Sequence, residues 1–309
     1  MRDSVLVIGA NGFVGRHILA KLAANDTSVI ALTRQPLAAA SQLPNVRSAV
    51  FPQDSATLNK ILKKASTVIN LASASTPGSS AKNPVMEIDQ NLRPLAILLE
   101  ALQSHPQIPF IHMSSGGAII HREERADADE KSSIFAQSYH GAAKIAAENM
   151  IEAWTYQSLT SATIIRPTNI YGPGQFFRPG FGIIPSAFNS ILTDRPLSIW
   201  GDGSATRDYI FIEDVIELLL GATSNPPPSG FEVYSAGSNS SITVNSLLRK
   251  IEHLTGTTIK RDYVPQRSVD PPRVKVDATK AKDKLNWVAR TDIERGLEMT
   301  WNWFRKDCS

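Results

Sequence analysis

Residues Val5 to Gly15 leave this chain few folds to choose from. Val5-Leu6-Val7-Ile8 is a short apolar run that predicts a buried strand. Gly9, Gly12 and Gly15 follow at three-residue spacing, and Arg16 to Ala24 reads as a helix with Ile18, Leu19 and Leu22 on one face. A strand, a glycine turn and a helix in that order form the context of a dinucleotide fingerprint. Gly9 allows the tight turn, Gly12 lets the backbone approach a pyrophosphate, and Gly15 lets helix and strand pack closely. The helix N-terminus offers its free N–H groups and the positive end of its dipole to the phosphates. Gly9, Asn11, Gly12, Phe13, Val14 and Gly15 are therefore the expected cofactor contacts. The spacing is G-x-x-G-x-x-G rather than G-x-G-x-x-G.

Beyond the turn, strands and helices keep alternating, which points to a parallel α/β sheet. Strands are predicted at Val29 to Leu32, Ser48 to Phe51, Thr67 to Leu71, Phe110 to Met113 and Ala162 to Arg166. Helices are predicted over residues 58–64, 85–104 and 138–154, with Pro94 a local irregularity in the second. Residues 72–84 form a Ser/Pro/Gly-rich loop and residues 122–131 a charged one. Past Arg166 the chain changes role without a flexible joint. Gly and Pro punctuate residues 172–185, and amphipathic helices are predicted over 243–255 and 292–304. The strand at Phe231 to Ser235 is expected to return to the main sheet. The expected fold is thus a Rossmann-type, doubly wound parallel sheet with a smaller C-terminal lobe. Residues 1–168 form the dinucleotide-binding domain, with returning segments near 208–238, and residues 169–309 form mainly the second lobe.

The end of the second strand bears on the cofactor. A carboxylate there binds the ribose 2′-OH of NAD, but this strand runs into Thr33-Arg34. The planar fork of Arg34 suits a 2′-phosphate, which favours NADP, with NAD left open. Asp54, after the third strand, is either an adenine contact or a plain helix N-cap. The net charge of +3 is small and dispersed, which argues against nucleic acid as a partner. The apolar runs are too short for membrane insertion. Cys308 is the only cysteine, so neither an intrachain disulfide nor a Cys-based metal site is expected, and no metal site is assigned. These features fit a cytoplasmic protein.

Several motifs in order resemble the extended short-chain dehydrogenase/reductases, and among them the nucleotide-sugar epimerase/dehydratase family. They are the Gly9 to Gly15 turn, Asn70-Leu71-Ala72, Met113 to Gly117, Lys144 to Glu148, and Arg166 to Gln175. Gly201-Asp202-Gly203, Arg207-Asp208-Tyr209, Glu213-Asp214-Val215, Arg267 to Asp270 and Leu285-Asn286-Trp287 continue the series. The resemblance implies that Leu71 and Ala72 line the cofactor site. It also implies that Asn169, Arg207 and Arg267 bind the diphosphate of a nucleotide sugar, UDP-linked by expectation. The reaction it implies is reversible oxidation and reduction at C4 of the sugar. By the same resemblance the helices over 85–104 and 138–154 pair across a two-fold axis in a homodimer, the alternative being burial within one subunit.

The proton-transfer residues depart from the family pattern. The family helix reads Y-G-x-x-K, with the Tyr as proton acceptor and the Lys lowering its pKa from about 10. Here the run is Ser138-Tyr139-His140-Gly141-Ala142-Ala143-Lys144, so aligning Gly141 and Lys144 puts His140 in the acid/base position. Tyr139 falls one residue early, about 100° away around a regular helix. The family Thr hydroxyl is replaced by Ala118, which leaves Ser115 as the nearest hydroxyl. Three readings stay open: His140 is the acid/base, since imidazole titrates near 6.5; a bulge brings Tyr139 into the site; or catalysis is weakened or absent. The sequence is accordingly read as an epimerase. The alternatives are an NADPH-dependent 4-keto-sugar reductase and a catalytically impaired binding protein.

Overall fold

The computed structural model describes residues 3–35, 43–121, 127–267 and 270–308. Its centre is a seven-stranded sheet. In chain order the first strands are β1 (Ser4–Ile8), β2 (Ser28–Thr33), β3 (Val46–Val50), β4 (Ala65–Asn70) and β5 (Phe110–Met113). Two short strands, β6 (Ile119–His121) and β7 (Ile134–Ala136), form an antiparallel hairpin beside it. β8 (Ser161–Pro167) then rejoins the main sheet. After a side pair of β9 (Asn169–Tyr171) with β12 (Tyr209–Phe211), β13 (Gly230–Ala236) completes the sheet. The order is β3-β2-β1-β4-β5-β8-β13, every pair parallel. The return of residues 231–235 to the main sheet, expected from the sequence, is observed. In such a sheet the order reverses between β1 and β4, and the crevice at their carboxyl ends is where ligands bind.

Apolar helices cover both faces, as a buried parallel sheet requires. On one face α1 (Phe13–Ala24) and α7 (Ile212–Ser224) pack together, α1 over β1 and β2 and α7 over β5 and β8. Their core runs on without a break into α6 (Ile183–Thr193), α8 (Val244–Thr255) and α10 (Ile293–Asp307), joining Val7 and Ile18 to Phe188, Leu247 and Phe304. The C-terminal lobe therefore shares a core with the sheet. On the other face, α2 (Ser55–Leu62), α4 (Arg93–Leu102) and α5 (Tyr139–Ser158) enclose Leu6, Leu58, Leu98, Phe110 and Trp154.

The helix expected over 85–104 is interrupted where Pro94 predicts. α3 (Pro84–Glu87) runs into a π turn, Ile88–Leu92, and α4 follows. Proline lacks an N–H and its ring crowds the carbonyl four residues back, so a widened turn ahead of Pro94 relieves both problems. The hairpin of β6 and β7 was not expected from the sequence. Its strands are three residues each and border a charged stretch of which residues 122–126 lie outside the described residues. Smaller strands, β10 (Leu197–Trp200) with β15 (Arg261–Val264) and β11 (Thr206–Arg207) with β14 (Ile242–Thr243), and the helix α9 (Thr279–Leu285) build the rest of the second lobe.

Late motifs of the sequence hold this lobe together. The Asp214 carboxylate, at the start of α7, accepts from the N–H groups of Arg290 and Thr291 at 3.0 and 3.1 Å. The Trp287 indole N–H donates to the Asp214 carbonyl at 2.9 Å. Among the described residues no helix is long and apolar enough to cross a membrane.

Candidate active site

A cleft of about 1710 Å³ opens at the carboxyl ends of β1 and β4 and continues between the sheet and the C-terminal lobe. Typical small-ligand pockets hold about 300–1,000 Å³, so this one has room for two ligands end to end. One end is the glycine turn. Gly9 has φ of +81°, and a Cβ there would lie 2.7 Å from the backbone nitrogen of Ala72. Only glycine therefore lets the chain turn after β1 against Leu71 and Ala72, which follow β4. A Cβ on Gly15 would lie 2.4 Å from the Gly9 carbonyl, so α1 starts directly on the turn. Gly12 is the N-cap of α1 and offers no side chain, which leaves first-turn N–H groups facing the cleft. Asn11, Gly12, Phe13, Val14, Gly15, Leu71 and Ala72 all line it. This end fits a dinucleotide pyrophosphate.

Arg34 also lines the cleft and is exposed at the end of β2, with no carboxylate in the position that would meet a ribose 2′-OH. Asp54 is not part of the lining. Its carboxylate accepts from Thr57 N–H at 2.7 Å as the N-cap of α2, and that bond, from both backbone and hydroxyl of Thr57, holds it below the usual carboxylate range. Of its two sequence readings, the geometry is that of the cap. Nothing in the sequence separates an N-cap Asp from a ligand Asp when the strand before it ends at the cleft.

At the centre lie residues of α5. Its first turn is regular: Ser138 caps it, accepting from Gly141 N–H at 3.0 Å. Tyr139 consequently points outward, 49% exposed and outside the cleft lining, so a bulge that would turn it inward is absent. His140 is 8% exposed and lines the cleft. Gly141 permits this approach, because a Cβ there would lie 2.4 Å from the Ala118 carbonyl. Lys144 is buried and donates to the Met113 carbonyl at 3.1 Å. Burial lowers it to about 8, although Glu148 and Glu87 pull the other way. Burial, with the Lys144 charge, pushes His140 down to about 4, while Glu87 opposes the shift. His140 is therefore neutral, and able to accept a proton, at neutral pH. Ser115 lines the same cleft, and its Oγ accepts from Ala118 N–H at 3.1 Å, which leaves the hydroxyl proton to donate.

A buried ion pair sets the position of α5. The Arg166 guanidinium donates to Glu148 from Nε at 3.1 and 3.2 Å and from Nη2 at 2.6 Å, tying α5 to β8. The matched motifs around Lys144 and Arg166 thus serve to brace this helix.

The far end of the cleft is cationic. Asn169, Arg207 and Arg267 all line it. Asn169 Nδ2 donates to the Asp208 carbonyl at 2.8 Å, which uses one of its two hydrogens. Burial lowers the Arg207 pKa, with Tyr209 and Asp270 opposing the shift and the like charge of Arg267 adding to it, and both cations line the same cleft. Arg267 is also held by Asp270, at 2.7 and 2.9 Å, and stacks 4.2 Å above the Trp200 ring centroid. Trp200, Arg178 and Phe181 line the cleft too, as does Phe176, whose ring lies 5.4 Å from the Arg16 guanidinium; the sequence reading marked the Gly/Pro-punctuated stretch that carries the last three but named none of the four. The aromatics just after Pro173-Gly174, in a stretch bounded by glycines, were the available signal. That stretch is tied to the dinucleotide end: Arg16 Nη2 donates to the Gly174 carbonyl at 3.1 Å and the His17 ring bonds the Pro173 carbonyl at 2.8 Å.

A parallel sheet with a glycine turn at its switch point, a buried Lys beside it and a cationic second compartment define a dinucleotide-dependent enzyme that takes a second, anionic ligand. The comparisons agree. The sequence pattern of the NAD dependent epimerase/dehydratase family matches residues 5–237, and the chain belongs to that family. It is similar to the UDP-glucose 4-epimerase of Mycolicibacterium smegmatis, 26% identical over 311 residues that span 97% of this chain and 98% of that one. The crystal structure of a UDP-glucose 4-epimerase with UDP-glucose from Thermotoga maritima superposes with a TM-score of 0.91 at 28% identity, covering 99% of this chain and 100% of the other. MoeE5 in complex with UDP-glucuronic acid and NAD gives 0.88 at 27% identity, covering 98% and 99%. The class expected from the motifs, an extended short-chain dehydrogenase/reductase with a Rossmann-type fold, is the class observed.

Proposed function

We propose that this chain is a UDP-sugar 4-epimerase that oxidises and re-reduces its substrate at C4 with a bound nicotinamide dinucleotide. The observation that carries the reading is the single cleft that joins the glycine turn, His140 with Lys144, and the pair Arg207 and Arg267. The Gly9 to Gly15 turn, Leu71 and Ala72 hold the dinucleotide, and the cofactor supplies the hydride acceptor and donor when bound. Lys144 holds the nicotinamide ribose. His140 is the acid/base, with Ser115 as the neighbouring hydroxyl. Asn169, Arg207 and Arg267 take the diphosphate. Arg34 selects NADP over NAD, supported by its place in the cleft wall and by the missing carboxylate.

That same Arg34 supports a second reading, a one-way reduction of a 4-keto nucleotide sugar by NADPH. One experiment separates them. The purified protein is incubated with UDP-sugars and with 4-keto nucleotide sugars, product epimers are followed by NMR, and NADPH by absorbance. Epimer interconversion without net cofactor consumption is expected. Net NADPH oxidation would establish the reductase. Neither change, with tight cofactor binding, would leave only a binding protein.

The working form in this reading is a cytoplasmic homodimer. Val85 and Ile88 are 59% and 56% exposed, and Tyr156 on α5 is 72% exposed, an apolar surface on the helices that the resemblance pairs. Light scattering should give twice the chain mass, and Ile88→Asp with Tyr156→Glu should halve it; a monomeric wild type would end this part of the reading.

A further inference from the structure

His140 is not alone. Glu87, on α3, is 4% exposed, and its carboxylate Oε1 lies 3.9 Å from His140 Nδ1. Between them stands Ser75, also buried, from the loop after β4. Asn91, in the π turn, completes the group. The protons in this cluster follow from one backbone bond and from the ionisation of Glu87. The Ala74 N–H donates to Asn91 Oδ1 at 2.9 Å, which fixes the orientation of the amide. Asn91 Nδ2 must then be the donor to Ser75 Oγ at 2.9 Å and to Glu87 Oε2 at 2.6 Å. Ser75 Oγ lies 2.8 Å from Glu87 Oε2, and a carboxylate only accepts, so the hydroxyl proton points there. Burial alone would favour a protonated Glu87. The hydrogen bonds of the neighbouring Ser80, Ser75 and Asn91 groups outweigh it and hold the carboxyl below its ordinary range, so it is ionised. The hydroxyl has now spent its one proton and accepted one. Its contact with His140 Nδ1 at 2.9 Å can only be filled by a proton on that nitrogen.

We propose that Glu87, through Ser75 and Asn91, holds His140 in the Nδ1–H tautomer, so that Nε2 is the lone-pair base presented to the cleft and Glu87 is the positioning carboxylate of this acid/base. Glu87, Ser75, Asn91 and His140 all line the cleft, and Nδ1 is the nitrogen already engaged. The arrangement rests on the epimerase reading for its chemistry. There the sugar O–H bond would break with its proton bonding to Nε2, the carbinol C–H hydrogen would leave as hydride, for which a dinucleotide held at the Gly9 to Gly15 turn would supply the acceptor, and the sugar carbon would become a carbonyl. The reverse step returns both. The positive charge gained by the ring faces Lys144, which opposes it, and the Glu87 carboxylate, which favours it. A His between two such charges needs the carboxylate to function as a base beside a cationic Lys.

The test reads the tautomer directly. The full chain is labelled with ¹⁵N, and long-range ¹H–¹⁵N spectra are recorded near neutral pH, with His140→Gln identifying the signal among the six histidines. The Nδ1–H form is expected in the wild type. Glu87→Met removes the acceptor, so the Ser75 proton turns to Nδ1 and the ring should switch to Nε2–H. In the same variant kcat should fall about 10²-fold or more with KM changed only a few-fold. Should Glu87→Met not fold, Ser75→Ala is read instead, and it should lose the exclusive Nδ1–H form. An Nε2–H signal in the wild type, or a tautomer unmoved by these variants, overturns the proposal. A wild type with the Nδ1–H tautomer and no turnover of any nucleotide sugar would instead overturn the epimerase reading and leave this one standing.

Discussion

Glu148→Ala tests what holds α5 in place. The Glu148–Arg166 pair has side chains only 4% and 8% exposed and is joined by bonds of 2.6, 3.1 and 3.2 Å. Removing the carboxylate strands a buried guanidinium whose Nη1 already has no partner among the described residues. Breaking such a pair from one side costs about 3–5 kcal/mol. Unfolding entropy of about 2.1 cal/mol/K per residue gives a chain of this length roughly 0.65 kcal/mol/K. The melting temperature should therefore fall by about 5–8 °C. The double change Glu148→Leu with Arg166→Met replaces both charges by apolar volume and should recover most of that loss, because it strands nothing. Scanning calorimetry of the three proteins decides. A single variant that melts within about 1 °C of wild type, or a double variant worse than the single, would refute the claim that an uncompensated charge is the cause.

Other outcomes follow from the same geometry. His140, at about 4 in the fold against 6.5 unfolded, binds its proton in the unfolded chain first, so its contribution is present above 6.5 and lost as pH falls toward 4. The loss is on the order of 2–3 kcal/mol, and urea unfolding at pH 7 and 4.5 should show His140→Gln less acid-sensitive than wild type; parallel losses would contradict the assignment. Lys144, lowered to about 8 by burial, acts in the same sense at higher pH: the strain of its buried charge is relieved as pH rises from about 8 toward 10.5, and Lys144→Met should remove that rise in stability. Arg34→Ala should weaken NADP about tenfold or more and NAD hardly at all in titration calorimetry, and equal effects would sink the 2′-phosphate argument. Gly141→Ala forces a Cβ to within 2.4 Å of the Ala118 carbonyl, so it should cost about 1–3 kcal/mol and depress turnover, while an unaffected enzyme would show that α5 has room to shift.

The early glycine turn and the parallel strands were legible in the chain because both are local. A glycine at φ of +81° and a short apolar strand announce themselves within a few neighbouring positions. So was the substitution of His140 for the expected Tyr, since helical periodicity counts residues from Gly141 and Lys144. Pro94 marked the helix break for the same reason. The roles of Asp54 and Tyr139 were left open in the sequence, because a cap and a ligand, or a bulge and a regular turn, differ by a rotation that local pattern does not encode.

What only tertiary structure decided is the company each side chain keeps. Glu87 lies in a helix read from its apolar face, and nothing in its neighbourhood distinguishes it from a solvated carboxylate. Its meeting with His140 depends on how α3 and α5 cross over the loop after β4. Ser75 reaches His140 across 65 positions. Residue type and short-range spacing determined the fold class and the kind of chemistry, because backbone geometry and burial periodicity are written locally. The direction of each proton was decided by packing, because a hydrogen bond acquires its sense only when every donor and acceptor around it has been brought together.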